Sequence, residues 1–106
     1  MDRDLILRAL DQRRTLRLVY GDSGVHVVQP HAIVRKGDGT ELLEAYQVGG
    51  PTPTSSDHGW RHFDLSRVTD LELLTTRFDP RRDFRPVSGQ SGIVVAQVHR
   101  DAPLPS

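Results

Sequence analysis

Cysteine is absent from this 106-residue chain, so neither a disulfide nor a thiolate metal site can hold it together. Asparagine is absent as well, and among fourteen basic residues only Lys36 is a lysine. Genomic base composition accounts for such a bias in bulk, so the total says little. The positions of individual arginines say more, because a guanidinium grips phosphate or carboxylate with two parallel hydrogen bonds and stacks on rings. No apolar run reaches the length needed to span a bilayer. The opening Met1-Asp2-Arg3-Asp4 lacks the basic and apolar regions of a signal peptide. Both absences point to a cytoplasmic protein with no membrane partner.

Catalytic signatures are scarce too. Gly-rich loops of the Walker or dinucleotide type are missing. Gly89-Gln90-Ser91-Gly92 lacks the Gly-x-Ser-x-Gly spacing and preceding strand of a nucleophile elbow. His58 and His62 have the i, i+4 spacing of two helical metal ligands. Gly59 and Trp60 interrupt them at a loop-to-strand boundary, and no Cys or Glu lies nearby. The acidic residues scatter over turns and caps without an evident buried pair. The expectation is a non-enzyme without metal, cofactor or catalytic residues.

What is present describes one small globular domain. Hydrophobic residues make up 36% and charged residues 26%, which suffices for a modest core. Fourteen acidic residues balance the fourteen basic ones, so no bulk charge draws the chain toward nucleic acid. Asp2 to Arg14 reads as a helix: Asp2 caps it, Asp4 lies in its first turn, and Leu5, Ile6, Ala9 and Leu10 form an apolar stripe. From Thr15 the period changes to two. Leu16, Leu18 and Tyr20 alternate with Arg17 and Val19 as in a half-buried strand.

Gly21-Asp22-Ser23-Gly24 is a turn, and Val25 to Gln29 answers as a strand ending at Pro30. His31 to Arg35 continues extended to the Gly37-Asp38-Gly39 hairpin, and Glu41 to Val48 returns. Gly49 to Gly59 is a Pro- and Ser-rich loop. Trp60 to Leu65 and Val68 to Leu74 read as two further strands, and Thr75 to Gly92 as loop anchored by Phe78 and Phe84. Ile93 to His99 suits a strand, although Ala96 and Gln97 leave a short helix open. The expected architecture is mainly β: a small bent barrel of about five strands with one N-terminal helix. Residues 1–14 form the helix, 15–78 the barrel and 79–100 an extension, with 101–106 a disordered tail.

Four stretches resemble the WYL domain family. They are Leu18-Val19-Tyr20, Val28-Gln29-Pro30-His31, Glu41-Leu42-Leu43-Glu44-Ala45-Tyr46, and Trp60-Arg61-His62-Phe63-Asp64-Leu65-Ser66-Arg67-Val68. The Arg-x-Phe-x-x-x-Arg element is the most specific part. A closer likeness is to small stand-alone bacterial proteins of this kind, which share Ala45-Tyr46-Gln47-Val48-Gly49-Gly50 and Gly59-Trp60-Arg61. The resemblance implies an SH3-like, Sm-like barrel that senses a ligand, single-stranded nucleic acid or a nucleotide, in bacterial transcription regulation. Two features depart from the family. Glu41-Leu42-Leu43 stands where the name-giving Trp-Tyr-Leu would, and one helix rather than a helix-turn-helix precedes the strands.

By that likeness Arg61 and Arg67 line the ligand face. Alternation places Arg61 with Phe63 and Leu65, so a guanidinium could pair with phosphate while a ring stacks a base. Tyr46, Gln47 and His31 would complete the pocket. The bland readings are a solvated Arg61, an ion pair of Arg67 with Asp64 or Asp70, a core-packing Tyr46, a His31 bonded to backbone, and Trp60 as a core lid. Two other functions stay open: a protein-interaction module, either self-associating or docking a separate regulator, and a small hydrolase-like enzyme.

Overall fold

The computed structural model describes residues 2–50, 59–82, 84 and 92–98. The one α-helix among these residues, α1 (Arg3–Gln12), starts where the Asp2 carboxylate accepts the Asp4 N–H. It stops because Arg13 turns left-handed, at φ 55° and ψ 50°, while its N–H closes on the Ala9 carbonyl. Arg14 already belongs to the first strand, so the helix is two residues shorter at this end than its apolar pattern suggests.

Six strands follow in one antiparallel sheet, against about five expected. They are β1 (Arg14–Tyr20), β2 (Val25–Arg35), β3 (Glu41–Gly49), β4 (Trp60–Asp64), β5 (Val68–Arg77) and β6 (Ile93–Gln97). Ile93–Gln97 is a strand and not a helix. It pairs with β2, so the 79–100 extension supplies part of the sheet. The order is β4-β3-β2-β1-β5, with β6 beside the far half of β2. The two ends of that order are consecutive in the chain, joined only by the single 3₁₀ turn Leu65–Arg67. A sheet whose edge strands are linked so briefly must curl until its edges approach, which makes it a bent barrel.

β2 makes the curl possible. Its first half pairs with β1 (Leu16↔Val28, Leu18↔His26) and its second half with β6 (Ile33↔Ala96), while β3 runs along its other side throughout. Between the halves the register slips: Pro30 faces Ala45, but Ala32 faces Glu44. The extra residue, His31, forms a bulge that bends the strand and swaps which side chains point inward. His26, Val28 and Pro30 face the barrel before it, Ile33 after it. Proline suits the bend because its missing N–H takes nothing from the ladder.

Inside lie Leu16, Leu18, Val28, Ile33, Leu43, Ala45 and Phe63, capped by Ile6, Ala9 and Leu10 of α1 in one continuous cluster. Burial of each large aliphatic side chain contributes on the order of 2 kcal/mol, and α1 at ten residues is too short to persist without that contact.

Two glycines separate crowding from indifference. Gly50 has φ +102°, and a Cβ there would collide with the Val25 carbonyl and backbone. Gly37 has open space around it. Gly50→Ala should therefore cost about 2–4 kcal/mol of unfolding free energy in urea titrations, with Gly37→Ala within about 0.5 kcal/mol of the parent. Equal stability of the two variants would refute this account of the β3 exit.

Candidate functional site

The structure divides the residues singled out from the sequence between the two faces of the sheet. On the barrel side, Arg61 stands opposite Ala45 and shares its face with Phe63, as alternation requires. Arg61 is half-buried and donates from Nη1 to the Trp60 carbonyl at 2.8 Å. Phe63 is only 3% exposed and packs edge-on to Tyr20 (5.0 Å between centroids) and His26 (5.3 Å). Its ring is part of the core, leaving little surface for a base to stack on. Gln47 is buried on the same side, its Oε1 3.0 Å from His26 Nδ1.

Arg67 follows at the rim. It is exposed, and its guanidinium lies over the Tyr20 ring, 5.2 Å from the centroid. It makes no ion pair with Asp64 or Asp70 within 4 Å; the ring holds it instead. The Tyr20 hydroxyl accepts the Asp64 N–H at 3.0 Å, and the Arg67 carbonyl accepts the Gly21 N–H. The platform beneath the guanidinium is thus pinned on both sides.

His31 and Tyr46 point the other way. His31 is fully buried. Its Nε2 accepts the Arg81 backbone N–H at 3.0 Å, so Nδ1 carries the ring proton and donates to the Gln29 carbonyl at 2.9 Å. Trp60, Phe78 and Phe84 surround it with centroids 4.9 to 5.3 Å away. Tyr46 meets Trp60 edge-on and carries the Arg81 guanidinium 3.8 Å above its ring. Phe78 and Phe84 belong to the same hydrophobic cluster as the barrel interior, and Trp60 packs against it on this face.

Three residues in these clusters were not singled out from the sequence. His26 offered a faint signal, a polar side chain at an inward position between two valines. Tyr20 read only as the end of an alternating strand. Arg81 offered none, since its ring contact depends on the chain folding back over β3. Ser23, His26 and Gln47 form a hydrogen-bonded series, with Ser23 Oγ 2.9 Å from His26 Nε2. Gln47 Oε1 can only accept, so Nδ1 of a neutral His26 donates to it and Nε2 is left as an acceptor, and the single Ser23 hydroxyl proton is divided between Nε2 and the Tyr20 carbonyl at 2.8 Å. His58 and the stretches 51–58, 85–91 and 101–106 lie outside the described residues, among them the Ser-rich loop, the Gly89-Gln90-Ser91 step and the expected tail.

A cleft of about 710 Å³ opens where α1 begins, lined by Arg3, Arg35, Asp38, Glu41 and Asp64 among others. Arg3 and Arg35 both donate to Glu41 Oε2 at 3.0 Å. Across from them, hydrogen bonds from the Ser66 hydroxyl and N–H hold the Asp64 carboxyl below its ordinary 3.8, and the Thr40 N–H and hydroxyl do the same for Asp38. With both signs represented, the cleft does not single out an anionic ligand.

No protein-family model matches the chain, and no curated protein matches it. Among solved structures, it superposes on part of proteasome accessory factor B/C (PafBC) of Arthrobacter aurescens with a TM-score of 0.63 at 24% sequence identity. The match covers 77% of this chain and 13% of that much longer one. At that identity the likeness establishes a shared fold. No helix among the described residues is long and apolar enough to cross a membrane.

Two predictions follow from this geometry. His31→Phe keeps a ring in the cluster but orphans the Gln29 carbonyl and the Arg81 N–H, and should cost about 2–3 kcal/mol in chemical denaturation. An unchanged midpoint would show that the two bonds do not hold the bend. Asp64 is ionised more easily folded than unfolded, so its contribution is full above the ordinary carboxylate range and is lost as pH falls through the depressed folded value. Asp64→Asn should therefore lower the melting temperature at pH 7 and converge with the parent once the pH has fallen below the depressed folded value. A gap that persists in acid would refute the assignment.

Proposed function

We propose that this chain is a regulatory, ligand-binding module of the WYL kind, and that its ligand is anionic and lies along the Arg61–Arg67 side of the barrel. The observation that carries the reading is Arg67, an exposed cation held over the Tyr20 ring at 5.2 Å on a rim pinned by backbone hydrogen bonds. A pre-positioned guanidinium loses little side-chain freedom on binding and keeps its fork available for a phosphate. Arg61 stands on the same face of the preceding strand. Support also comes from the Arg61-His62-Phe63-Asp64-Leu65-Ser66-Arg67 resemblance and from the fold shared with a proteasome accessory factor. The ligand class that suits these groups is single-stranded nucleic acid or a nucleotide. Charge-assisted hydrogen bonds would supply the affinity and the arginine–tyrosine stack the orientation.

A second reading rests on a different surface. Val19 faces Val25 across β1 and β2, with Val27 and the half-exposed Val48 beside them on the outer side of the sheet. Exposed valines on a strand face favour a protein contact, a second copy included.

Fluorescence anisotropy with labelled single-stranded DNA and RNA at two salt concentrations separates the readings. The parent should bind saturably and lose affinity as salt rises. An Arg61→Ala, Arg67→Ala double variant should bind about tenfold or more weakly, with a salt slope shallower by about 2. It should melt within a few degrees of the parent. Absence of binding by the parent would end the polynucleotide reading, and a concentration-dependent mass in sedimentation would then favour the valine face.

A further inference from the structure

Ser23 stands exposed in the turn after β1, His26 is buried near the start of β2, and Gln47 is buried on neighbouring β3. Ser23 Oγ lies 2.9 Å from His26 Nε2, and His26 Nδ1 lies 3.0 Å from Gln47 Oε1. The amide oxygen fixes the ring proton on Nδ1 and leaves the Nε2 lone pair facing the serine hydroxyl. Tyr20 and Phe63 pack edge-on against the imidazole, with centroids 6.4 and 5.3 Å away, so the base keeps its direction while the hydroxyl meets solvent. The Tyr20 carbonyl accepts the Ser23 N–H at 2.9 Å and lies 2.8 Å from its Oγ, which holds the oxygen beside the ring as its proton turns between the two acceptors. Nucleophile, base and orienting acceptor in this order are what activates an otherwise weak hydroxyl. Two more groups border the turn. The Gly24 N–H makes no backbone hydrogen bond among the described residues. Arg67 closes the other side, where a Cβ added at Gly21 would lie 3.4 Å from its Nη2.

We propose that Ser23, His26 and Gln47 form a catalytic triad for acyl transfer, hydrolysing carboxylic esters whose acyl group ends in an anion. Ser23 Oγ forms a bond to the ester carbonyl carbon while its proton passes to His26 Nε2. The tetrahedral intermediate then breaks its bond to the alkoxide, which leaves with that proton as an alcohol. Water attacks the acyl-serine in turn and gives a proton to Nε2. The bond to Ser23 Oγ breaks, the serine recovers that proton, and the carboxylic acid departs. One water is consumed, and one acid and one alcohol are released. The Gly24 N–H serves the oxyanion, and Arg67 pairs with the anionic end of the acyl group. Gln47 is a positioning residue that stays neutral, so it lends the imidazolium less than a carboxylate would, and turnover is slow. The activity shares Arg67 with the anion site proposed above but needs neither Arg61 nor a polynucleotide, so either can fail while the other stands.

Intact-mass spectrometry after treatment with a fluorophosphonate tests this on the full chain, beside hydrolysis of p-nitrophenyl acetate and of its carboxylate-bearing analogue mono-p-nitrophenyl succinate. The parent should gain one phosphonyl group, located on Ser23, and should turn over the succinate ester more efficiently than the acetate. Ser23→Ala removes only an exposed hydroxyl, so it should melt within a few degrees of the parent. It should lose the label and slow hydrolysis by about a hundredfold or more. Gln47→Glu keeps an acceptor for Nδ1 and should retain the label, whereas Gln47→Leu should lose it, each compared at a temperature where melts show the variant folded. A Gln47 that merely filled space would not separate the two. Arg67→Gln should raise KM several-fold more for the succinate ester than for the acetate. No label on the parent, a label on another residue, or a Ser23→Ala variant that hydrolyses as the parent does would overturn the proposal.

Discussion

The structure depends on how His31 is held. As the extra residue of the β2 bulge it sits where the strand bends, and its imidazole and main-chain carbonyl together fasten three segments. Nδ1 returns to the Gln29 carbonyl before the bend, Nε2 takes the Arg81 N–H of the returning chain, and its own carbonyl accepts the Val98 N–H just past β6. Without the bend β2 could not pair with β1 in one half and β6 in the other. The inward side chains would then follow one parity throughout, and Ile33 would leave the core. A neutral imidazole suits the task because one nitrogen donates while the other accepts, and both bonds are made away from water.

That same bend separates the two faces on which function can be argued. The barrel-side rim carries Arg61 and Arg67, with the Tyr20, His26 and Phe63 rings packed beneath as a rigid floor. The outer face near the bend is closed over by Phe78 and Phe84 packed on His31 and by Arg81 stacked on Tyr46. Farther along, the outer face is bare enough to leave Val25 and Val48 exposed. Sheet curvature therefore decides which of the polar and aromatic residues meet solvent, and a ligand or a partner can use only those.

Net neutrality conceals an uneven distribution of charge. Arg3 and Arg35 are spent on one glutamate oxygen, and Arg17 reaches Glu72 only at 3.7 Å on an exposed surface, where such pairs are worth little. Arg67 and Arg81 are held by rings instead. Arg14 and Arg77 stand opposite each other across β1 and β5. Arg67, stacked on Tyr20, keeps its hydrogen-bonding fork for another group, whereas an arginine shared with a carboxylate does not. The distinction matters more for function here than the number of arginines.

The N-terminal helix, the alternating strand Leu16 to Tyr20, the returning strand Glu41 to Val48, the Gly37-Asp38-Gly39 hairpin and the bent-barrel class were all legible in the sequence. Each rests on local periodicity or turn chemistry that a few neighbouring residues determine. Sequence order likewise placed Arg61 on the face of Phe63. It could not show that Phe63 would be buried, that His31 and Tyr46 would lie on the opposite face, or that Arg81 would stack on Tyr46. Those outcomes follow from a one-residue bulge and from a chain segment returning across the sheet. Facing direction in a strand reverses with a single inserted residue, and contacts between residues fifty positions apart leave no periodic trace. Only the tertiary structure, by bending β2 at His31, decided which of these side chains the returning chain would cover.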